Sequence, residues 1–368
     1  MRLAGSFAVA VLAIAALLAP RPAEAIPVFA HRYGLTCQAC HTIVPHLTPF
    51  GEAFLAGGYR LPAARTNRPF PAAIKVNLEY AGDPDDSGLP KAVVDEVEVL
   101  LGGSLGPRGR GAYFAEQYVV DGGLPGRKRD LWASWRATPD GAKLPLWLRG
   151  GQFTLDLPVD PETFRETTDH YAIWDQTAGD NPFSFFEPKT GLALSAGREG
   201  RGLHASFAAV QGHDPGSGLP ARGIDRHLFV QQQAGDGLTL SAYRYDGTRP
   251  VDGLADRFWR EGYGLGFERG RARFDAVYQR GFDTHASTEG GLRSSGAFAQ
   301  VRYELSPRAF ALARYDGTQD AERARAVTAG LGFRVARNAR LTVFDTVHHD
   351  ADDGARRNSL SAALLFAY

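Results

Sequence analysis

Residues 327–335 read VTAGLGFRV, and this stretch decides the fold. Its apolar side chains, from Val327 to Val335, occupy every second position, and Thr328 and Arg334 fall on positions between them. Successive side chains of a β-strand point to opposite faces, so the pattern predicts a strand with one apolar and one polar face. The same alternation recurs through residues 71–368, which are therefore predicted to be all-β.

Sixteen such runs follow residue 71. Their centres are predicted near residues 77, 97, 115, 133, 149, 193, 206, 230, 242, 262, 276, 300, 312, 330, 343 and 363. An even count is usual for single-chain bacterial outer-membrane barrels. One run in about every 19 residues leaves room for a membrane strand of ~9–11 residues and its connection. We therefore predict an antiparallel outer-membrane β-barrel of about 16 strands, with a soluble multi-sheet β protein as the alternative.

The connections between the runs alternate in length, which favours the barrel. Short turns such as Pro139-Asp140-Gly141 are predicted at the periplasmic end. Longer and more polar connections are predicted outside the cell, for example residues 82–90, 211–225, 281–294 and 348–357. The last strand carries apolar residues at alternate positions up to Tyr368, and it resembles the assembly signal of bacterial outer-membrane barrels.

The composition and the N-terminus exclude other classes of protein. The chain has 41 basic and 41 acidic residues, and this zero net charge argues against nucleic acid as a partner. No run of ~20 apolar residues follows the N-terminus, so a helical membrane protein is excluded. Residues 1–25 are predicted to be a secretory signal peptide, because Arg2 precedes an apolar stretch and Ala23-Glu24-Ala25 matches the cleavage pattern.

Cys37-Gln38-Ala39-Cys40-His41 is the one sharp chemical motif, and it uses both cysteines of the chain. Two thiols three positions apart on a helical turn can add to the two vinyl groups of one haem, and the adjacent imidazole then ligates the iron. The alternatives are a disulfide or half of a zinc site, although no second cysteine pair exists to complete the latter. We predict one covalently bound c-type haem, held by Cys37 and Cys40 with His41 as proximal ligand to the haem iron. The haem segment is predicted to be residues 26–70, and the barrel residues 71–368.

The sixth haem ligand stays open at this stage. The single methionine, Met1, belongs to the predicted signal peptide, so ligation by histidine and methionine is excluded. His31 is the candidate distal ligand, and a distant histidine, a water or an empty position are the alternatives. His46 follows Pro45 closely and is expected to stay on the proximal side.

Arginine on the polar face of the predicted strands is expected to point into the lumen. Arg273, Arg302 and Arg334 are examples. They are predicted to pair with acidic residues of the wall such as Asp275 and Glu304, or with haem propionates. An ion-paired, water-filled channel wall is the simpler interpretation.

The long connection 157–189 is an outlier, and connections of such length are usually functional. It is expected to fold inward and narrow the pore. Its carboxylates and imidazole are ligand types that suit Fe(II). The candidate external Fe(II) site comprises Asp160, Glu162, Glu166, Asp169 and His170.

The pentapeptide Arg-Tyr-Asp-Gly-Thr occurs at residues 244–248 and again at 314–318. Each copy follows a predicted strand and leads toward a predicted external loop. The repeat is interpreted as recurring turn chemistry, with duplication of a hairpin as the alternative.

The sequence around the haem motif resembles a known family. Residues 27–34, PVFAHRYG, precede the motif, and residues 45–51, PHLTPFG, follow it, with Phe54 and Gly58-Tyr59 further on. These residues resemble the outer-membrane monohaem cytochrome c–porin fusion family, of the iron-oxidising cytochrome-porin type. The resemblance covers residues 27–59 and implies a small cytochrome c that plugs the lumen of the barrel. The chain departs from the family pattern at His31, Glu52 and Leu55.

The resemblance implies electron transfer at the cell outer membrane. The haem is expected to accept electrons from an extracellular reduced donor such as Fe(II), and a periplasmic electron-carrier cytochrome is expected to receive them. Outer-membrane lipid is the expected partner of the barrel surface. No acid–base or nucleophile constellation is present, so no catalytic residue is predicted. The alternatives are a transport porin with a haem-bearing plug and a haem-based enzyme or sensor.

Overall fold

The structure is a computed structural model that describes most of the chain. It covers residues 29, 33, 35–59, 72–81, 91–105, 110–122, 124–126, 128–161, 165–167, 170–198, 201–211, 223–235, 237–287, 290–319, 323–350 and 356–367. The predicted signal peptide, residues 1–25, and the candidate ligand His31 lie outside the described residues. The helices are α1 (Cys37–Cys40), α2 (Pro49–Ala56) and α3 (Ala172–Asp175). None of these helices is long and apolar enough to cross a membrane.

Seventeen strands account for most of the described residues. The first nine are β1 (Ala72–Ala81), β2 (Lys91–Leu105), β3 (Gly111–Asp121), β4 (Leu124–Pro125), β5 (Lys128–Arg136), β6 (Leu146–Phe153), β7 (Lys189–Arg198), β8 (Arg201–Gln211) and β9 (Asp225–Ala234). The others are β10 (Leu238–Val251), β11 (Leu254–Arg269), β12 (Ala272–Ser287), β13 (Gly290–Ser306), β14 (Ala309–Gln319), β15 (Arg323–Ala336), β16 (Ala339–Asp350) and β17 (Arg356–Ala367).

Sixteen of these strands form a closed antiparallel barrel. Each one pairs with its neighbours in sequence, and β17 returns to β1, where Val76 lies opposite Phe366. β4 is a two-residue strand that pairs only with the end of β3, and β3 continues round the barrel by pairing with β5. The predicted 16-stranded barrel is confirmed, and every predicted centre lies within one of its strands.

The outer face of the barrel is apolar. Val327, Leu331 and Val335 of β15 are 46%, 40% and 56% exposed, and Phe267 and Tyr278 are similarly exposed on β11 and β12. Such a continuous apolar surface is unfavourable in water and is the property that suits a strand facing acyl chains. The alternation that predicts the strands is therefore the alternation between lipid and lumen.

The connection between β6 and β7, residues 154–188, folds into the lumen as predicted. Its side chains Ile173, Trp174 and Phe183 are buried and pack on inward-facing barrel residues such as Phe229 and Phe298. We call residues 154–188 the lumen loop. The aromatic side chains of the lumen loop therefore occupy part of the barrel interior.

Two expectations about the outer parts of the strands are wrong. Residues 281–294, expected to be an external connection, belong mostly to β12 and β13, where Gly281 lies opposite Ser294. This hairpin continues beyond the apolar belt, where the outer face needs no apolar residues and the alternation in polarity stops. The two copies of the pentapeptide lie within strands β10 and β14, so they are not turn sequences.

Candidate functional site

The haem motif forms one helical turn inside the barrel. α1 runs from Cys37 to Cys40, and side chains three positions apart in a helix lie on one face. Cys40 and His41 line a cavity that also contacts the barrel wall. The side chain of Cys37 lies outside the described residues.

The segment that follows the motif fixes this turn. Thr48 is the N-cap of α2, and its hydroxyl accepts a hydrogen bond from the Gly51 amide at 3.1 Å. The same hydroxyl donates to the carbonyl of Ala39, inside the motif, at 2.6 Å. A Cβ atom at position 51 would clash with the carbonyl oxygen of Cys40, so only glycine permits this close approach of α2 to α1.

The imidazole of His41 is oriented by the main chain. Its Nδ1 lies 3.1 Å from the carbonyl oxygen of Pro45, which can only accept, so Nδ1 carries the proton. Nε2 is then the nitrogen with a free lone pair, the arrangement found in histidines that bind a metal. Burial lowers the pKa of His41 to about 4, against the opposing effect of the Pro45 carbonyl. The ring is therefore neutral at pH 7, as a metal ligand must be.

A cavity of about 340 Å³ lies next to the motif. Ligand pockets in proteins range over ~300–1,000 Å³. Its walls include the apolar side chains Leu100, Phe114, Trp132 and Phe153. An apolar pocket with charged groups at its ends suits a flat apolar ring that carries carboxylates.

Basic side chains line this cavity in two groups. The first group is paired with carboxylates: Lys75 with Glu98, Arg149 with Asp156 at 3.6 Å, and Arg165 with Glu96 at 3.1 Å.

The second basic group is Arg334, Arg337 and Arg340, close to the haem motif in the cavity lining. The guanidinium groups of Arg334 and Arg340 donate to the main-chain carbonyls of Thr42 and Val44, at 2.8 and 2.7 Å. Within the described ranges, no carboxylate pairs with any of these three arginines, and the buried Nε of Arg340 has no hydrogen-bond partner. Neutral Nε2 of His41, apolar walls and unpaired cations together fit a covalently attached haem with two propionates.

Other contacts seat the N-terminal segment on the inner wall. Ile43 packs against Phe310, Leu312 and Phe344 of the barrel. His46 lies 3.5 Å from a carboxylate oxygen of Glu268. These contacts lie toward the ends of the strands that are joined by short turns. Short turns face the periplasm in an outer-membrane barrel.

The three described residues of the candidate external Fe(II) site, Asp160, Glu166 and His170, do not form a metal-binding cluster with one another. Glu166 is buried and accepts a hydrogen bond from Arg302 at 2.8 Å, so its charge is already neutralised. His170 stacks on Phe186 with 4.1 Å between ring centroids, and Asp160 lines the cavity. Glu162 and Asp169 lie outside the described residues. Among the residues that are described, no group of three or more acidic, histidine or cysteine side chains could hold a metal ion.

The predicted pairing of lumen arginines is largely found. Arg273 donates to Asp275 at 2.9 Å, and Arg302 donates to Glu304 at 3.1 Å as well as to Glu166. Arg334 instead donates to the N-terminal segment. Sequence reasoning missed Arg337 and Arg340, although the cluster RVARNAR at residues 334–340, around a predicted short turn, was a usable signal.

The closed barrel, its apolar belt and the loop folded into its lumen define a porin-type barrel of the bacterial outer membrane. Three solved structures share this fold. An anion-selective porin from Comamonas acidovorans has a TM-score of 0.63 and 14% identity, and the match covers 81% of this chain and 98% of that porin. OmpF of Salmonella typhi gives 0.60 and 12%, with 81% and 97% covered. The channel DcaP of Acinetobacter baumannii gives 0.53 and 10%, with 81% and 96% covered.

These matches concern the fold alone, and the matched region is as long as the barrel. Residues 71–368 make up the same share of the chain that the matches cover, and nearly the whole of each porin is covered. No family model matches the chain, and no curated protein matches it by sequence. The predicted cell outer-membrane localisation is confirmed by the fold.

Proposed function

We propose that the protein is an outer-membrane electron-transfer protein. One c-type haem, bound through Cys37, Cys40 and His41, accepts electrons from an extracellular reduced donor such as Fe(II), and a periplasmic electron-carrier cytochrome receives them. The observation that carries the proposal is the His41 imidazole, with Nδ1 on the Pro45 carbonyl and Nε2 available, beside a cavity inside a porin-type barrel. A haem iron supplies reversible one-electron chemistry there.

The chain contributes orientation and exclusion of water. Thr48 and Gly51 hold the Cys-x-x-Cys-His turn, and Pro45 holds the ring of His41. The lumen loop closes the middle of the barrel with buried aromatic side chains such as Trp174 and Phe185. The haem site is thereby separated from bulk solvent outside the cell, so a donor meets the loops first.

The charge distribution suits a cationic donor outside. By sequence, the connections on the long-loop side contain eighteen acidic and three basic residues, and the acidic excess remains when Asp156 and Glu166, which pair with wall residues, are left out. An excess of one sign of charge concentrates ions of the opposite sign. The acidic outer side therefore favours a donor such as Fe(II) over an anion.

The opposite end carries the opposite charge. The short turns contain six basic and three acidic residues, and Lys143, Arg271, Arg308 and Arg337 are exposed there. Complementary potentials steer protein encounters and raise their rate. The electron carrier on this side is accordingly expected to present an acidic face.

The test uses the purified full-length protein in detergent. Covalent haem is measured by the mass increase and the reduced α-band, and Fe(II) is then added without oxygen near neutral pH. Rapid haem reduction is expected in the wild type and in His46→Gln, and not in His41→Ala. His46 is the matched control, because it lies five residues away and contacts Glu268. A protein that binds haem but is reduced only by dithionite refutes Fe(II) as the donor.

A transport porin with a haem-bearing plug is the second candidate, and the barrel fold favours it. A second cavity of about 360 Å³ lies beside the segment, lined by polar side chains such as Gln231, Thr239 and Ser241. Single-channel recordings of the full-length protein in planar bilayers separate the two functions. Stable solute conductance that changes with haem redox state supports the porin, and a closed barrel supports electron transfer.

A further inference from the structure

We propose that Arg340, supported by Arg334, binds a propionate carboxylate of the haem attached at Cys37, Cys40 and His41. The proposal deepens the function proposed above and rests on it, because it requires that haem. It assigns a binding role to a barrel residue nearly 300 positions away from the haem motif, on strand β16.

Arg340 and His41 each donate a hydrogen bond to one of two consecutive residues of the N-terminal segment. The guanidinium of Arg340 donates to the carbonyl of Val44 at 2.7 Å, and Nδ1 of His41 donates to the carbonyl of the next residue, Pro45, at 3.1 Å. Both side chains line one cavity. A group bound at Nε2 of His41 therefore lies in the space that the guanidinium also faces.

Among the described residues, no carboxylate lies within ion-pair distance of Arg340, and Glu166 and Glu96 act on its charge only from further away. Its only hydrogen bond among the described residues is to a neutral carbonyl, and its buried Nε has no partner. A buried guanidinium without an anion is costly, and arginine has five donors in a fork that matches a carboxylate. An anion in the cavity would complete this site.

The nearby carboxylates are already hydrogen-bonded to another arginine. Glu166 and Glu304 both accept hydrogen bonds from Arg302. Two further arginines that line the cavity, Arg149 and Arg165, have their own carboxylates, Asp156 and Glu96. Of the three arginines without a carboxylate partner among the described residues, Arg334 and Arg340 donate to carbonyls of the segment after the haem motif, whereas Arg337 is exposed to solvent.

A propionate fits this position better than a free anion. The cavity is largely apolar, and Cys40 at its edge is one of the two attachment residues. Covalent attachment at the motif brings the ring carboxylates to the arginines at a high effective concentration. The positive charge of Arg340 then favours the reduced state of the iron, which carries one positive charge less. This raises the reduction potential in a protein whose mature chain lacks a methionine ligand.

The experiment measures the midpoint potential of the holoprotein by redox titration of the α-band. Arg340→Gln keeps an amide donor for the Val44 carbonyl and removes the charge, whereas Arg340→Lys keeps the charge. We expect Arg340→Gln to shift the ratio of oxidised to reduced haem about tenfold toward the oxidised form, which is about 59 mV for one electron. Arg340→Lys is expected to stay within about threefold of the wild type.

Arg337→Gln is the matched control, because Arg337 lines the same cavity but is exposed to solvent, which screens its charge. Equal potentials for Arg340→Gln and Arg337→Gln would overturn the proposal. So would a wild-type potential that changes with chloride concentration while that of Arg340→Gln does not, because Arg340 would then bind a free anion. If Arg340→Gln does not assemble, Arg334→Gln is titrated instead, with a smaller shift of the same sign expected. Wild-type protein without covalent haem would refute the proposed function itself, which is a different outcome.

Discussion

Arg302 of β13 donates a hydrogen bond from Nε to the carboxylate of Glu166 in the lumen loop, at 2.8 Å, and both side chains are almost completely buried. The pair joins the wall of the barrel to the loop that fills it. Removal of one partner from a buried ion pair leaves the other charge uncompensated. The pair is therefore expected to hold the loop against the wall.

Arg302→Met is expected to lower the free energy of unfolding by about 3 kcal/mol, since Glu166 is left buried without its partner. The measurement is chemical unfolding of the detergent-solubilised protein, followed by circular dichroism. Arg280→Met is the control, because Arg280 pairs with Glu261 on the exposed outer surface and such pairs contribute less than about 1 kcal/mol. Equal effects of the two substitutions would contradict a locking role for Arg302.

The attachment of the lumen loop is expected to weaken in acid. Burial alone raises the pKa of Asp156, but the hydrogen bond from His204 at 3.1 Å and the charge of Arg149 outweigh it and hold this pKa below its usual range. A depressed carboxyl pKa stabilises the folded state above the unfolded value of about 3.9, and this stabilisation is lost as the pH falls through the folded value. Thermal unfolding from pH 7 down to about pH 2 measures it, and the loss is expected below the unfolded value. Asp156→Asn should flatten the acid limb of this curve, and an unchanged acid limb would show that other carboxyls dominate.

Gly51→Ala is expected to reduce haem incorporation at least threefold, because the added methyl group clashes with the carbonyl oxygen of Cys40 and displaces the motif. The readout is the α-band absorbance per mole of purified protein. Glu52→Ala, at the next and exposed position of α2, is expected to load haem like the wild type. Normal loading of Gly51→Ala would show that the close contact is not needed for attachment.

The orientation of the outer face predicts a graded cost of added charge. Leu331→Lys places a cation on the apolar belt and is expected to cost ~2–4 kcal/mol, whereas Val335→Lys, on the same face near the end of the strand, is expected to cost ~0–1 kcal/mol. Unfolding from lipid vesicles, followed by tryptophan fluorescence, measures both. Equal costs would contradict the position of the belt.

The strands were predictable because the surroundings of the barrel impose a strict rule on the sequence. Val327 and Leu331 face lipid and Thr328 faces the lumen, so the period of two is visible without any structure. The rule ends where the membrane ends, which is why the hairpin around Gly281 and Ser294 escaped prediction.

The repeated pentapeptide shows what a local sequence leaves undecided. In β10, Tyr245 is buried while Arg244 and Asp246 point outward, 38% and 53% exposed. In β14 the same residues are reversed, because Arg314 and Asp316 are buried and pair with each other. Which face turns inward is set by the register of the whole barrel, so five residues cannot determine it.

The haem motif was recognisable because attachment chemistry fixes its spacing, and the resemblance extended to Thr48 and Gly51, whose roles the structure explains. Arg340 was not predicted. It acts across the barrel, and only the closure of the strands brings it to Val44. The Fe(II) site was proposed from composition alone. The pairing of Glu166 with Arg302 shows that a carboxylate of such a loop can form an ion pair with the barrel wall instead.

Gln38 donates a hydrogen bond to the carbonyl of Arg337, 299 residues further along the chain. The surface that holds the N-terminal segment is thus formed by residues near the C-terminus, which are among the last to be synthesised. This surface is complete only when the barrel closes. The proposed haem would therefore have to be attached to Cys37 and Cys40 before the barrel closes around them. The proposed function thus implies an order of assembly, with haem attachment first and closure of the barrel second.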